Sequence, residues 1–210
     1  MQRNIIRLAT GVFAIALIAG SAAVWAQSAP PIRIRGTIEK VDGNTLVIKA
    51  REGNEVTVTT PDNVRVMGFV KASIEDIKPN SYIGVTADPQ PDGSQKAVAI
   101  HIFGEAQRGT GEGHRPWDLR PGTTMTNAAV DTIATGVEGR VITVKYKAGD
   151  KTDEKKVIVP QNIPIVAYTP GDKSELKPGT AIIIFNANKQ PDGSLQAPAV
   201  NVGRGLTPPM

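Results

Sequence analysis

The residues best equipped for chemistry lie in one glycine-rich stretch, Gly104 to Thr123, where Glu112, His114, Arg115, Trp117 and Asp118 fall within seven positions. An imidazole and two carboxylates are suitable zinc ligands, so Glu112, His114 and Asp118 raise the reading of a metal or ligand site. One histidine on a glycine-rich loop does not make such a set. The competing reading is that Trp117 pins the stretch onto neighbouring structure while the charged residues stay solvated. The five residues are therefore assigned only as a speculative ligand or docking site, with no catalytic, cofactor-binding or metal residue. The other histidine, His101, sits between Ile100 and Ile102 in a period-two segment. Alternation places it on the side those residues do not bury, which predicts a surface position.

No motif supplies a reaction. Gly-x-Ser-x-Gly, His-Glu-x-x-His, the P-loop and the dinucleotide fingerprint are all missing from the sequence, and the carboxylates are scattered through turns rather than paired. There is no cysteine, which removes disulfides, thiol catalysis and cysteine metal sites. The sequence thus predicts a protein that is not an enzyme and has no cofactor.

Residues 1–26 read as a signal peptide. Arg3 and Arg7 precede an apolar stretch from Leu8 to Ala19, and Val24-Trp25-Ala26 fits a cleavage site before Gln27. An uncleaved anchor is the alternative, but the stretch is shorter than the roughly 20 residues a spanning helix needs. Removing Arg3 and Arg7 from the 24 basic residues leaves 22 against 20 acidic ones. That balance gives no footprint for nucleic acid. A periplasmic location follows, with no membrane span after processing.

Self-similarity then organises the chain. Gln90-Pro91-Asp92-Gly93-Ser94 recurs as Gln190-Pro191-Asp192-Gly193-Ser194, Pro61-Asp62-Asn63-Val64 resembles Pro160-Gln161-Asn162-Ile163, and Lys78-Pro79-Asn80 resembles Lys177-Pro178-Gly179. The order is the same and the offset nearly constant. Two copies of one unit are expected, at 31–103 and 125–204, joined by a connector at 104–124 and followed by a tail at 205–210.

Periodicity within each copy is that of strands. Ile34, Gly36 and Ile38 alternate with polar neighbours, Asp42-Gly43 marks a turn, and Val56 and Val58 share a face. Ser73-Ile74-Glu75-Asp76 predicts a short helix, with the Ser73 hydroxyl accepting from the Asp76 backbone N–H and Pro79 ending the turn. Pro91-Asp92-Gly93 closes a hairpin between two further strands. The expected fold is all-β: two tandem small OB-like barrels of five to six strands, each with one short helix, with a small β-sandwich as the alternative.

Gly36-Thr37-Ile38, Asp42-Gly43-Asn44-Thr45-Leu46, Ile77-Lys78-Pro79, and Asp92-Gly93 followed by Ala97 and Ile100 resemble secreted bacterial OB-like domains of unknown function. The resemblance covers both copies and implies fold but no catalytic residue. OB-like barrels that bind nucleic acid or saccharide stack them on aromatic rings, and the second and third strands offer only Tyr146. The expected function is a non-catalytic binding or interaction module of the cell envelope, with an envelope protein or small ligand as partner. Its rivals are a metal-binding accessory protein using the connector and an uncharacterised hydrolase.

Because Val24 and Ala26 fit the peptidase subsites, the exported protein is expected to begin at Gln27. Intact mass checks this, and a periplasmic product that retains Arg3 and Arg7 would identify the segment as an anchor.

Overall fold

In the computed structural model, residues 32–137 and 139–210 are described. The expected signal peptide, 1–26, and its cleavage site lie outside them. No helix among the described residues is long and apolar enough to cross a membrane.

The protein is all-β. Fourteen strands run in the order β1 (Ile32–Asp42), β2 (Thr45–Ala50), β3 (Glu55–Thr59), β4 (Arg65–Lys71), β5 (Tyr82–Pro89), β6 (Gln95–Ile102), β7 (Gly113–Pro116), β8 (Thr124–Gly136), β9 (Gly139–Ala148), β10 (Lys151–Pro160), β11 (Ile165–Pro170), β12 (Ala181–Lys189), β13 (Leu195–Gln196) and β14 (Ala199–Gly203). Among the described residues, helical structure is limited to single 3-10 turns, including Ile74–Asp76 and Lys173–Glu175. At the first of these the Asp76 carboxylate accepts from the Ser73 backbone N–H at 2.8 Å and from its hydroxyl at 3.0 Å. The hydroxyl therefore donates, where the sequence suggested that it accepts.

Hydrogen-bonded neighbours close a five-stranded barrel, β5-β6-β10-β9-β8, which returns to β5. Its β6–β10 contact is parallel and the rest are antiparallel. Its strands come from one contiguous stretch of the chain, Tyr82–Pro160, in which β7 is the one strand left outside the circuit. A second circuit, β1-β2-β3-β13-β12, returns to β1 and takes its strands from the two ends of the described chain. The sequence reading placed one barrel in 31–103 and another in 125–204. The pairing instead crosses between those segments. Period-two alternation fixes which side chains of a strand face inward, but not which strand lies beside it.

β4 carries the chain out of the β1–β3 group and β11 carries it back, and these two crossing strands pair with each other, antiparallel, with Phe69 opposite Tyr168. Parallel partners flank them: β14 beside β4 and β6 beside β11.

Three apolar clusters result. Ile83, Val85, Ile100, Ile142, Val144 and Val157 fill the contiguous barrel. Ile38, Leu46, Ile48, Val58, Ile182 and Val200 fill the other circuit. Between them, Phe69, Trp117, Met125, Val166, Ile183 and Met210 form a seam. The double burial explains β5, whose residues Tyr82 to Ala87 are all buried. One face of this strand looks into the barrel and the other into the seam. The connector is likewise no plain tether, because β7 adds to β8 and Trp117 is 9% exposed within the seam.

Phe69 is fully buried where the crossing strands meet. Phe69→Ala is expected to lower stability by about 3–5 kcal/mol. If the seam couples both circuits, the parent protein unfolds in one transition, with far-UV dichroism and Trp117 emission coinciding. Two resolved transitions in the parent protein would show that the seam does not couple them.

Candidate functional site

The seam holds a cavity of about 470 Å³ against which three structural groups converge. Strands β6 and β8 of the contiguous barrel supply His101, Met125 and Asn127, β11 and β12 supply aromatic rings, and the connector covers one side. Gly84 of β5 pairs with Asn127 of β8 on one flank and His101 of β6 on the other. A Cβ at Gly84 would overlap Cε1 and Nε2 of His101 and crowd Oδ1 of Asn127. The glycine is thus what allows the imidazole to lie flat against the sheet.

His101 is 3% exposed, not on the surface as alternation suggested. Alternation did place it opposite the barrel interior, but that outer side is covered by the seam. Its ring meets Phe103 edge-on at 4.7 Å and Tyr168 at 5.5 Å. Burial, followed by the charge of Arg115, pushes its pKa down to about 3, so the imidazole is neutral at physiological pH.

The aromatic residues, sparse and scattered in sequence, gather here. Phe103 stacks on Tyr168 at 5.1 Å, Tyr168 packs on Phe69 at 4.5 Å, Tyr82 lies 5.2 Å from Phe103, and Trp117 lies 6.3 Å from Phe185. Two guanidinium groups flank Trp117, Arg33 at 3.9 Å and Arg115 at 5.5 Å from the ring centroid.

Arg33 and Arg35 both bind Asp118, at 3.0 and 2.7 Å. Burial raises the Asp118 carboxyl, but these two hydrogen bonds together hold it below the ordinary carboxylate value. Arg115 donates only to the Gly111 carbonyl, at 2.8 Å, and has no carboxylate partner among the described residues. Burial and then the charge of Arg33 lower its pKa.

Polar satisfaction singles the cavity out. Of the five buried side-chain polar atoms that lack a hydrogen-bond partner among the described residues, four belong to residues lining it: Arg33 Nε, His101 Nδ1, Trp117 Nε1 and Asn127 Oδ1. Each such atom costs about 1–3 kcal/mol. The Asn127 amide is oriented by its Nδ2, which donates to the Thr110 carbonyl at 3.0 Å, so Oδ1 is left as an acceptor. The 530 Å³ cavity lined by Ser73, Ile74, Arg140 and Asn162 has none of these atoms.

The five residues singled out in the connector are divided by the structure. Arg115, Trp117 and Glu112 line the seam cavity, and Glu112 also accepts from the Lys147 backbone N–H at 2.9 Å. His114 turns instead to Thr126, Nδ1 to Oγ1 2.8 Å, and stacks near Tyr146. Asp118 is held by the two arginines. Among the described residues no three or more histidine, cysteine, aspartate or glutamate side chains come together to hold a metal. Sequence reasoning missed Arg33, Gly84, Asn127, Tyr168 and Phe185, which lie far apart in the chain. No known family model, curated protein or solved structure matches the chain.

The close fit of His101 over Gly84 generates a coupling. Gly84→Ala is expected to destabilise the protein by about 1–3 kcal/mol through overpacking, and by clearly less in a His101→Ala background. Urea unfolding of the four proteins measures this, and equal costs in both backgrounds would disprove the contact. A pH effect follows too. Unfolded, His101 takes up a proton near pH 6.5, whereas folded it does so only near 3. Between those values the unfolded state binds more protons, so stability falls as pH drops, by up to ~1.4 kcal/mol per pH unit. His101→Asn should remove that part of the slope between pH 6.5 and 4, and an unchanged slope would contradict it.

Proposed function

We propose that this protein is a non-catalytic binding module of the bacterial cell envelope, exported by a cleaved signal peptide, that receives a small ligand in the cavity between its two strand circuits. The observation that carries the reading is the concentration of unpartnered, buried polar atoms on His101, Trp117, Asn127 and Arg33 around one cavity. Buried polar groups are ordinarily paired, and a cluster of exceptions on one concave surface is what a ligand completes. The aromatic walls supply the apolar contact that most small-molecule sites use.

The non-catalytic reading draws on the state of His101. A general base works best with a pKa near the working pH, and burial holds this histidine far below it. We also read the chain as a duplicated OB-like unit. Each circuit follows the order first, second, third, sixth, fifth strand when strands are numbered by position in the proposed unit, and each has a parallel contact between third and sixth, consistent with a five-stranded OB-like barrel once the crossing fourth strand is set aside. The bulges after Ile38 in β1 and after Val130 in β8 occupy matching places.

Protein recovered from the periplasm without denaturant is expected to carry a non-covalent adduct of small-molecule mass. Stripping it in urea and refolding should make Trp117 emission more accessible to acrylamide. A bare mass, with quenching that stays the same when the periplasmic small-molecule fraction is returned, would contradict a ligand-receiving cavity.

A further inference from the structure

We propose that the seam cavity takes a small organic monoanion of the α-hydroxycarboxylate class with an apolar or aromatic side chain, an inference that rests on the cavity being a binding site. Charge comes first. Arg33, Arg35 and Arg115 surround Trp117 and Asp118, and Asp118 engages the first two. Arg115 is left with a carbonyl as its only hydrogen-bond partner among the described residues. Glu112, the one acidic residue lining the cavity, is exposed and engaged by the β9 backbone at Lys147. One guanidinium without a carboxylate calls for one carboxylate, which it can grip with two parallel N–H bonds. A cation would meet two arginines, and because Arg33, Arg35 and Arg115 stand against the two carboxylates of Asp118 and Glu112, one negative charge balances the group and a second would exceed it.

The second requirement is a donor. Asn127 Oδ1 is buried, accepts nothing from the described residues, and cannot be exchanged for the amide nitrogen without losing the bond to Thr110. It therefore selects a ligand O–H or N–H. Donor and anion must also be close together on that ligand. Nη2 of Arg115 and Nδ2 of Asn127 lie 3.4 and 3.2 Å from the same point above Gly111, where a Cβ would stand. These atoms belong to the guanidinium and the amide that would take the carboxylate and the hydroxyl, so a hydroxyl on the carbon next to the carboxylate keeps both groups within one small ligand, and it leaves the carboxylate charge uncancelled, as an α-ammonium would not. Trp117 Nε1 adds a donor for the ligand's oxygens. The remaining wall, formed by Phe103, Tyr168, Phe185 and Met125, accepts the side chain.

The probes are mandelate, phenylacetate, which lacks the hydroxyl, and mandelamide, which lacks the charge, each titrated calorimetrically into the exported protein at pH 7 and followed by Trp117 emission. Mandelate is expected to bind at least 10-fold more tightly than either analogue. Arg115→Gln should bring mandelate down to the level of mandelamide, and Asn127→Leu should abolish the preference for mandelate over phenylacetate. The comparison of three probes on the unaltered protein stands even if a variant folds poorly. Equal binding of mandelate and mandelamide, equal binding of mandelate and phenylacetate, or no binding of mandelate would each overturn the ligand class. Failure of the cavity reading shows separately, as a bare native mass together with no emission change for any probe.

Discussion

The antiparallel pairing of β4 with β11 is the contact on which the rest of the structure depends. These strands are the two places where the chain passes between circuits, and each is held by the other through the register that sets Phe69 against Tyr168. Without it, β14 and β6 would lose the inner neighbours beside which they lie in parallel. The pairing also creates the seam. Two barrels joined by a flexible tether would each turn a polar outer face to water, whereas here the outer faces of β5, β6, β8 and β12 are buried against one another and lined with Ile183, Met125 and Phe69.

Once an outer face is buried, small differences between the two circuits become chemical ones. In one circuit Ile183 is flanked by Arg35 and Asn201, in the same relation in which Gly84 is flanked by Asn127 and His101. Ile183 fills its position with a side chain, and Asn201 is satisfied by the Ile183 carbonyl at 3.1 Å. At Gly84 the side chain is missing, the imidazole occupies its space, and Nδ1 of His101 and Oδ1 of Asn127 stay without partners. In the duplicated unit proposed above, the Gly84 position thus carries the proposed binding site and the Ile183 position does not. The connector finishes it, with Trp117 as the apolar anchor and Arg115 as the charge.

Much of the strand content was legible in the sequence. Of the residues whose alternation marked strands, Ile34, Ile38 and Val58 are buried and Val56 is half-buried, and the Asp92-Gly93 and Asp192-Gly193 turns sit between β5 and β6 and between β12 and β13. Strand partners were not legible, because inward-facing residues are equally satisfied by any neighbour that closes the barrel. The site failed to show for the same reason. His101 has the pattern of a surface residue unless the covering layer is known, and Phe69, Phe103, Tyr168 and Phe185 look too dispersed to form a platform until the crossing brings them together. Only Glu112, Arg115 and Trp117 announced themselves, through their place in an otherwise glycine-rich stretch.

The crossing itself is open to direct measurement because the chain has no cysteine to interfere. Thr37 of β1 and Ala181 of β12 are cross-strand partners, so their Cα atoms lie within the range a disulfide spans. Cysteines placed at both positions should join under oxidising conditions, giving a chain that migrates faster without reductant. Two thiols that both react with maleimide in the folded protein and never couple would mean that β1 and β12 are not neighbours, and that the ends of the chain do not close one circuit around the seam.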